Sequence, residues 1–390
     1  MILSSSFNTC INELLECVDN NTFFISDWNK DDGILDFNID KFNLTNDYHK
    51  QKNTYFFSDE FKQIKDEYPP LLTNSKEHIS SECFSIVSNC TIANFLCLYY
   101  VKTKKEKLNA LILAPTYFSY IRILQDVGAN INYIDCYASQ DILEQICEVI
   151  YSHQINIIIA TEPLFGTGVS LSENILKRIS SICEEQDIFF IIDYTYGGMK
   201  WHENNCEQDS IFLSLINNKH TLLVESICKR IFLNGIKHGI IFADSEIIKA
   251  IEDISVYTAG CLSEQQILLY KNLYAIENRK YIIKTINENN MYYESNYSLI
   301  KTFLANTSFD ISLCDCGYFC VLGIPKITQR KNMGIAKEIL HRTNILTIPH
   351  DRYIFDMNKF YYFRVNLSLE QNKLIQAIKL LSQTYFNGIN

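Results

Sequence analysis

From about residue 80 to 245, short, mostly apolar runs alternate with stretches of helical periodicity, and this alternation constrains the fold more than any other feature of the chain. The runs are 84–87, 110–114, 131–134, 155–160, 188–192, 221–224 and 240–243. Segments 92–99, 120–127, 142–151 and 172–185 between them carry helical spacing. A strand apolar at most positions, rather than at alternate ones, must be covered on both faces. The expectation is therefore an α/β chain whose large domain holds a mostly parallel sheet sandwiched by helices. Ser172-Glu173 suits a helix start with an acidic first turn.

Beyond this region, residues from about 263 to 304 read as long helix, including 264–277 and 280–289. Runs 318–322 and 361–367 read as strands of a second, smaller sheet, and 370–385 as an amphipathic helix. The expected division is an N-terminal arm or part of the small domain over 1–50, a large domain over 51–280 and a small α+β domain over 281–390. The 390 residues are 47% hydrophobic and 21% charged, ordinary values for a globular protein. A net charge of -10 disfavours nonspecific nucleic-acid binding. The first residues, Met1 to Asn8, lack the basic and apolar regions of a signal peptide, and no apolar run reaches the roughly 18 residues of a membrane span. The 14 cysteines are scattered and read as reduced packing residues of a cytoplasmic protein. Cys314 and Cys316 are spaced too closely for a zinc knuckle, with no second pair nearby.

The chemistry gathers around one lysine. Ser226-Ile227-Cys228-Lys229 follows the 221–224 run, and Leu233-Asn234-Gly235-Ile236-Lys237-His238-Gly239 leads into the next. A serine three residues before a lysine at a strand end, with a Leu-x-Gly-x-basic-x-Gly tail, suits a lysine that forms a Schiff base with pyridoxal phosphate. Such a site needs an amine, an anion that keeps the pyridine nitrogen protonated, donors for the phosphate and a flat side chain on the ring. In an open α/β sheet these groups belong at the carboxyl ends of strands. Asp193 closes the 188–192 run, where an unpaired carboxylate is costly and a pyridinium is a suitable partner; capping of the next turn is the alternative. Tyr196, three residues on, is placed for the cofactor's phenolate oxygen. Ser88-Asn89-Cys90-Thr91 opens a helix, which makes either a phosphate site or an ordinary N-cap. Tyr117, in Pro115-Thr116-Tyr117, either stacks on a ring or packs on the core. Ser226 and Lys237 bracket Lys229 toward the phosphate, unless Lys237 is a solvated surface lysine. Arg364, alone among apolar residues, suits a substrate carboxylate or a structural ion pair.

Taken in order, Pro115-x-Tyr117, Gly166-Thr167-Gly168, Asp193-x-x-Tyr196, Ser226-x-x-Lys229, Gly235-x-Lys237-x-Gly239 and Arg364 give the chain its likeness. From about Tyr55 to the C-terminus it resembles the fold-type I pyridoxal-phosphate enzymes of the class I/II aminotransferase superfamily, and in layout the histidinol-phosphate aminotransferase branch. The resemblance implies an aspartate-aminotransferase-like fold and a homodimer acting on a small amino-acid-like substrate. It implies that Lys229 carries the cofactor and shuttles the α-proton. Asp193 then pairs with the pyridine nitrogen, Tyr196 with the phenolate oxygen, and Tyr117 stacks on the ring. The phosphate falls to Ser226, Lys237, the turn of Asn89, Cys90 and Thr91, and Tyr55 of a neighbouring subunit. Arg364 takes the substrate carboxylate.

Three departures from the family pattern stand out. The family's Asn-Pro-x-Asn-Pro-Thr-Gly is Glu162-Pro163-Leu164-Phe165-Gly166-Thr167-Gly168 here, so Phe165 occupies the place of the asparagine that bonds the phenolate oxygen. Lys237, a point charge, replaces the family's phosphate-binding arginine. Pro349-His350 replaces a proline-glycine turn, making His350 either a substrate contact or a turn residue. The expected activity is transamination. Decarboxylation, elimination or cyclisation on the same fold is the alternative that the Phe165 and Lys237 changes favour, and a noncatalytic cofactor-binding module is the third reading.

Overall fold

The structure, a computed structural model, describes residues 11–27, 58–70, 79–137, 141–202, 214–216, 218–233, 235–326, 332–350 and 359–386. Its strands are β1 (Phe23–Phe24), β2 (Phe84–Val87), β3 (Asn109–Ala114), β4 (Asn130–Asp135), β5 (Ile157–Thr161), β6 (Phe189–Asp193), β7 (Thr221–Glu225), β8 (Gly239–Phe242), β9 (Asp310–Ile311), β10 (Phe319–Pro325), β11 (Ile345–Leu346) and β12 (Phe360–Asn366). Among the described residues, seven of them form one sheet in the order β2-β8-β7-β6-β5-β3-β4. Each run expected to be a strand in this region is one, to within two residues at either end.

Alternate side chains of these strands enter two cores. Leu111 and Leu113 of β3 face the Ile142–His153, Glu173–Glu185 and Glu264–Tyr274 helices. Ala110 and Ile112 face the Cys90–Lys104, Phe118–Asp126 and Ser245–Thr258 helices. Each fully buried Ile, Leu or Phe contributes about 1.5–3 kcal/mol, so a sheet apolar on both faces is stable only between two helical layers. This is the sandwich expected from the sequence.

One strand runs against the rest. β8 is antiparallel to both β2 and β7. Among the described residues, the link from β7 to β8 holds only the four-residue helical turn Ile227–Arg230, short of the full crossover a parallel return needs. The reversal has a functional consequence. It brings the start of β8, with Lys237 and His238 before it, to the same edge as the carboxyl ends of β2, β3, β5, β6 and β7.

A second, three-stranded sheet, β12-β10-β9, is antiparallel and packs with the Ile276–Leu304, Asn332–Thr343 and Gln371–Phe386 helices. Leu14 and Ile25 from the N-terminal part join this core, and β1 pairs in parallel with β11. The long helix expected over 263–304 is two helices in the structure. Ala275 takes an extended conformation (φ -59°, ψ 135°) and separates Glu264–Tyr274 from Ile276–Leu304. No Gly or Pro marks the break. Tertiary anchoring holds it: Asn278 Nδ2 donates to Asn272 O, and Tyr270 and Tyr274 pack against His238.

Candidate active site

At the shared strand edge lies a cavity of about 630 Å³. Its walls include Asn89, Cys90, Thr91, Tyr117, Phe165, Asp193, Tyr196, Ser226, Lys229 and Lys237, so ten of the residues singled out in the sequence line one space. His350 and Arg364 are not lining residues, and Tyr55 lies outside the described residues.

One wall is a helix start. The helix begins at Cys90, two residues earlier than its periodicity indicates, and Asn89 caps it by accepting the Ile92 N–H at 2.9 Å. The N–H groups of Cys90 and Thr91 precede the helical ladder and, with the helix dipole, favour an anion at the cavity. Gly239 of β8 runs directly beneath this turn. A Cβ there would stand 2.8 Å from the Asn89 carbonyl carbon and 2.9 Å from the Cys90 nitrogen, so only glycine permits the approach. Ser226 and Lys237 complete this end of the cavity.

A second wall carries the carboxylate. Asp193 ends β6 and is buried, accepting the Thr195 N–H at 3.1 Å and the Asn94 amide at 3.4 Å. Burial raises its pKa, and these hydrogen bonds oppose the rise. Tyr120 in turn donates to Asn94 Oδ1 at 2.7 Å. Asn94 and Tyr120 were not singled out in the sequence. The available signal is a polar amide in the otherwise apolar run Ile92 to Tyr100, which in a buried helix needs a partner.

The amine sits between them. Ser226 caps the Ile227–Arg230 turn, and Lys229 Nζ lies 5.8 Å from the centre of the Tyr196 ring. Burial, and then the positive charge of Lys237, lower the Lys229 pKa to about 8. A half-buried amine so perturbed is a marker of a reactive group. The Tyr196 hydroxyl is pushed up to about 12 by burial.

The third wall is aromatic. The Tyr117 ring lies 4.5 Å from that of Phe118 and 5.4 Å from that of Phe165. Phe165 is held by its backbone N–H, which donates to Thr161 Oγ1 at 2.9 Å, while Thr161 donates to the Pro115 carbonyl at 3.2 Å. Behind it, a Cβ on Gly166 (φ +72°) would fall 2.9 Å from the His350 ring. His350 is half-buried and desolvation lowers its pKa to about 3, so it is a neutral residue backing the Phe165–Gly166 strap. Arg364 stands on β12, 4.3 Å from the Phe319 ring centre, with Nη2 donating to the Ser26 carbonyl at 2.9 Å. Burial lowers its pKa to about 10.

This donor set fits a flat aromatic cofactor bearing a phosphate. It combines an anion-binding helix start with a glycine cradle, a buried carboxylate, an amine of lowered pKa and a tyrosine flanking the space.

Comparison with known proteins gives the same picture. The family model described as aminotransferase class I and II matches residues 50–381. No curated protein sequence matches the chain. Among solved structures, a protein from Pyrococcus designated A1 superposes with TM-score 0.75 at 16% identity, covering 97% of this chain and 95% of that one. The aromatic aminotransferase from Pyrococcus horikoshii OT3 gives 0.73 at 17%, with coverage of 96% and 98%. A double mutant of the Thermus thermophilus aspartate aminotransferase gives 0.74 at 14%, with coverage of 97% and 96%. At such identities the likeness establishes the fold and selects no branch, the histidinol-phosphate branch included.

Proposed function

The chain belongs to the aminotransferase class I and II family, and we propose that it is a pyridoxal-phosphate-dependent aminotransferase using Lys229 on a small amino acid or amino-acid-like metabolite. Family members depend on this cofactor in general. The observation that carries the proposal is the convergence of Lys229, Asp193, Tyr196, Tyr117 and the Asn89–Thr91 turn on one cavity.

When bound, the cofactor supplies an electron sink for the pair released at the substrate's α-carbon. The remaining work is the protein's. Lys229 holds the cofactor and then moves the α-proton, a task suited to an amine with a pKa near neutrality. Asp193, kept in place by Asn94 and Thr195, holds the pyridine nitrogen protonated. Tyr196 donates to the phenolate oxygen, and Tyr117 flanks the ring. The Cys90 and Thr91 N–H groups, Ser226 and Lys237 neutralise the phosphate. Arg364 supplies the cation for the substrate carboxylate, and Phe165 bounds the substrate side. A homodimer is part of this reading.

Phe165 keeps a second reading open, since no donor stands where the family places its asparagine; decarboxylation or elimination on the same scaffold would follow if proton control there has changed. Purified protein should be yellow, and borohydride should abolish the colour. Conversion of the bound cofactor to its amine form by a panel of amino donors, with keto-acid release, supports transamination. Carbon dioxide release without that conversion selects the second reading. A colourless protein that takes up no pyridoxal phosphate overturns both.

A further inference from the structure

A buried ion pair flanks the amine. Glu225 Oε1 lies 2.8 Å from Arg230 Nη2, and both side chains are 5% exposed. Glu225 is the last residue of β7 and Arg230 follows Lys229 directly, so the pair closes around the segment Ser226–Lys229. Arg230 also reaches the loop after β6. Its guanidinium carbon is 5.8 Å from the Tyr194 ring centre, and a Cβ on Gly198 (φ +67°) would stand 2.8 Å from Nη1. That loop begins at Asp193 and contains Tyr196.

The turn carrying Lys229 has four residues. A helix that short has almost no stability of its own, so its orientation must come from its anchors. Ser226 anchors one end through the Cys228 N–H at 3.3 Å. Arg230 anchors the other, with a charge at Glu225 and a flat face toward Tyr194. An ion pair this deep adds little net stability over apolar residues of equal volume. The planar guanidinium, set between Glu225 and the Tyr194 and Gly198 loop, does fix direction.

We propose that Glu225 and Arg230 are positioning residues: their ion pair locks the Lys229 turn against the Asp193–Gly198 loop and so sets where the amine stands relative to Asp193 and Tyr196. The proposal rests on the reading of Lys229 as the cofactor-bearing amine.

The test uses the full chain carrying Glu225→Leu with Arg230→Met, which removes both charges while keeping apolar volume, and Arg230→Lys, which keeps the charge without the fork. The pH midpoint of Lys229 acetylation by acetic anhydride, mapped by peptide mass spectrometry in cofactor-free protein, reads the amine directly. Its surroundings include Lys237, Cys90, Cys228 and Arg364. In the double variant the midpoint should move by about half a pH unit or more. With cofactor and an amino donor, kcat should fall about tenfold or more while KM stays within about threefold. Arg230→Lys should recover part of kcat. A folded double variant with an unchanged midpoint and unchanged kcat overturns the proposal, as does failure of both variants to fold, which assigns the pair to the fold alone. Native protein that never binds pyridoxal phosphate sinks the cofactor reading instead, and the acetylation midpoint still reads the pair.

Discussion

Asn94 donates its side-chain amide to Asp193 across 3.4 Å, joining the second turn of the Cys90–Lys104 helix to the carboxyl end of β6. The helix whose N-terminus lines the cavity therefore also steadies the carboxylate that lines it. Asn94→Leu removes a hydrogen bond that opposes the burial-driven rise in the Asp193 pKa, so the carboxyl becomes harder to ionise. Cofactor affinity should weaken about tenfold, the equivalent of one hydrogen bond to a charged group. Absorbance titration of the cofactor-free protein measures this, and unchanged affinity would remove Asn94 from the site.

Asp193→Ala should cost activity and leave the fold. The expected loss in kcat is about a hundredfold or more, in the range set by other preorganised electrostatic groups. The melting temperature of the cofactor-free variant should hold or rise, because a buried carboxyl is removed. Turnover retained at the native rate would contradict the role given to Asp193.

The lowered Lys229 pKa sets a pH dependence of stability in cofactor-free protein. The amine's pKa is about 8 in the folded state against an ordinary 10.5. Between these values the unfolded chain binds more protons than the folded one, so stability rises with pH across this window. Below pH 8 the amine is charged in both states and the full penalty of burying it is present. Lys229→Met should therefore raise the melting temperature at pH 7, with the gain shrinking as pH climbs from about 8 toward 10.5. Scanning calorimetry at several pH values would read it; a gain independent of pH would contradict the buried charged amine.

Phe165→Asn returns a donor to the place where the family has one. The visible band of the bound cofactor should then titrate at a lower pH than in the native protein, because a hydrogen bond to the phenolate favours its charged form. A midpoint that does not move would mean that residue 165 does not address that oxygen.

Gly239→Ala introduces a methyl within 3 Å of backbone atoms of Asn89 and Cys90, which cannot swing aside as a side chain would. Overpacking of this kind costs about 1–3 kcal/mol. Because the strain falls on the phosphate turn, cofactor affinity should fall along with the melting temperature. A variant that loses neither would show that β8 and the turn can separate freely.

Much of this was legible in the chain itself, for identifiable reasons. A strand buried between helices is apolar at most positions rather than at alternate ones, so the seven runs announced the sandwich. Chemistry at a strand end leaves polar residues immediately after apolar ones, so Asp193, Ser226 and Lys229 stood out by contrast. Asn94, Tyr120, Glu225 and Arg230 did not stand out. Each acts through a partner distant in sequence or on the far side of the lysine, and pairing of that kind leaves no spacing to read. The break at Ala275 was invisible for a similar reason: alanine is a good helix former, and tertiary packing overrides it.

The sequence alone determined the layer architecture and the family, because these depend on local apolar patterning and on short motifs. Only the tertiary structure decided that β8 runs backwards, and that reversal brings Lys237 and Gly239 to the edge where Lys229 and the helix start already stand. Strand direction is set by what the connecting chain can span and by which faces must be buried, and those are properties of the whole packed molecule. The same packing drew Glu225 and Arg230 together around the lysine.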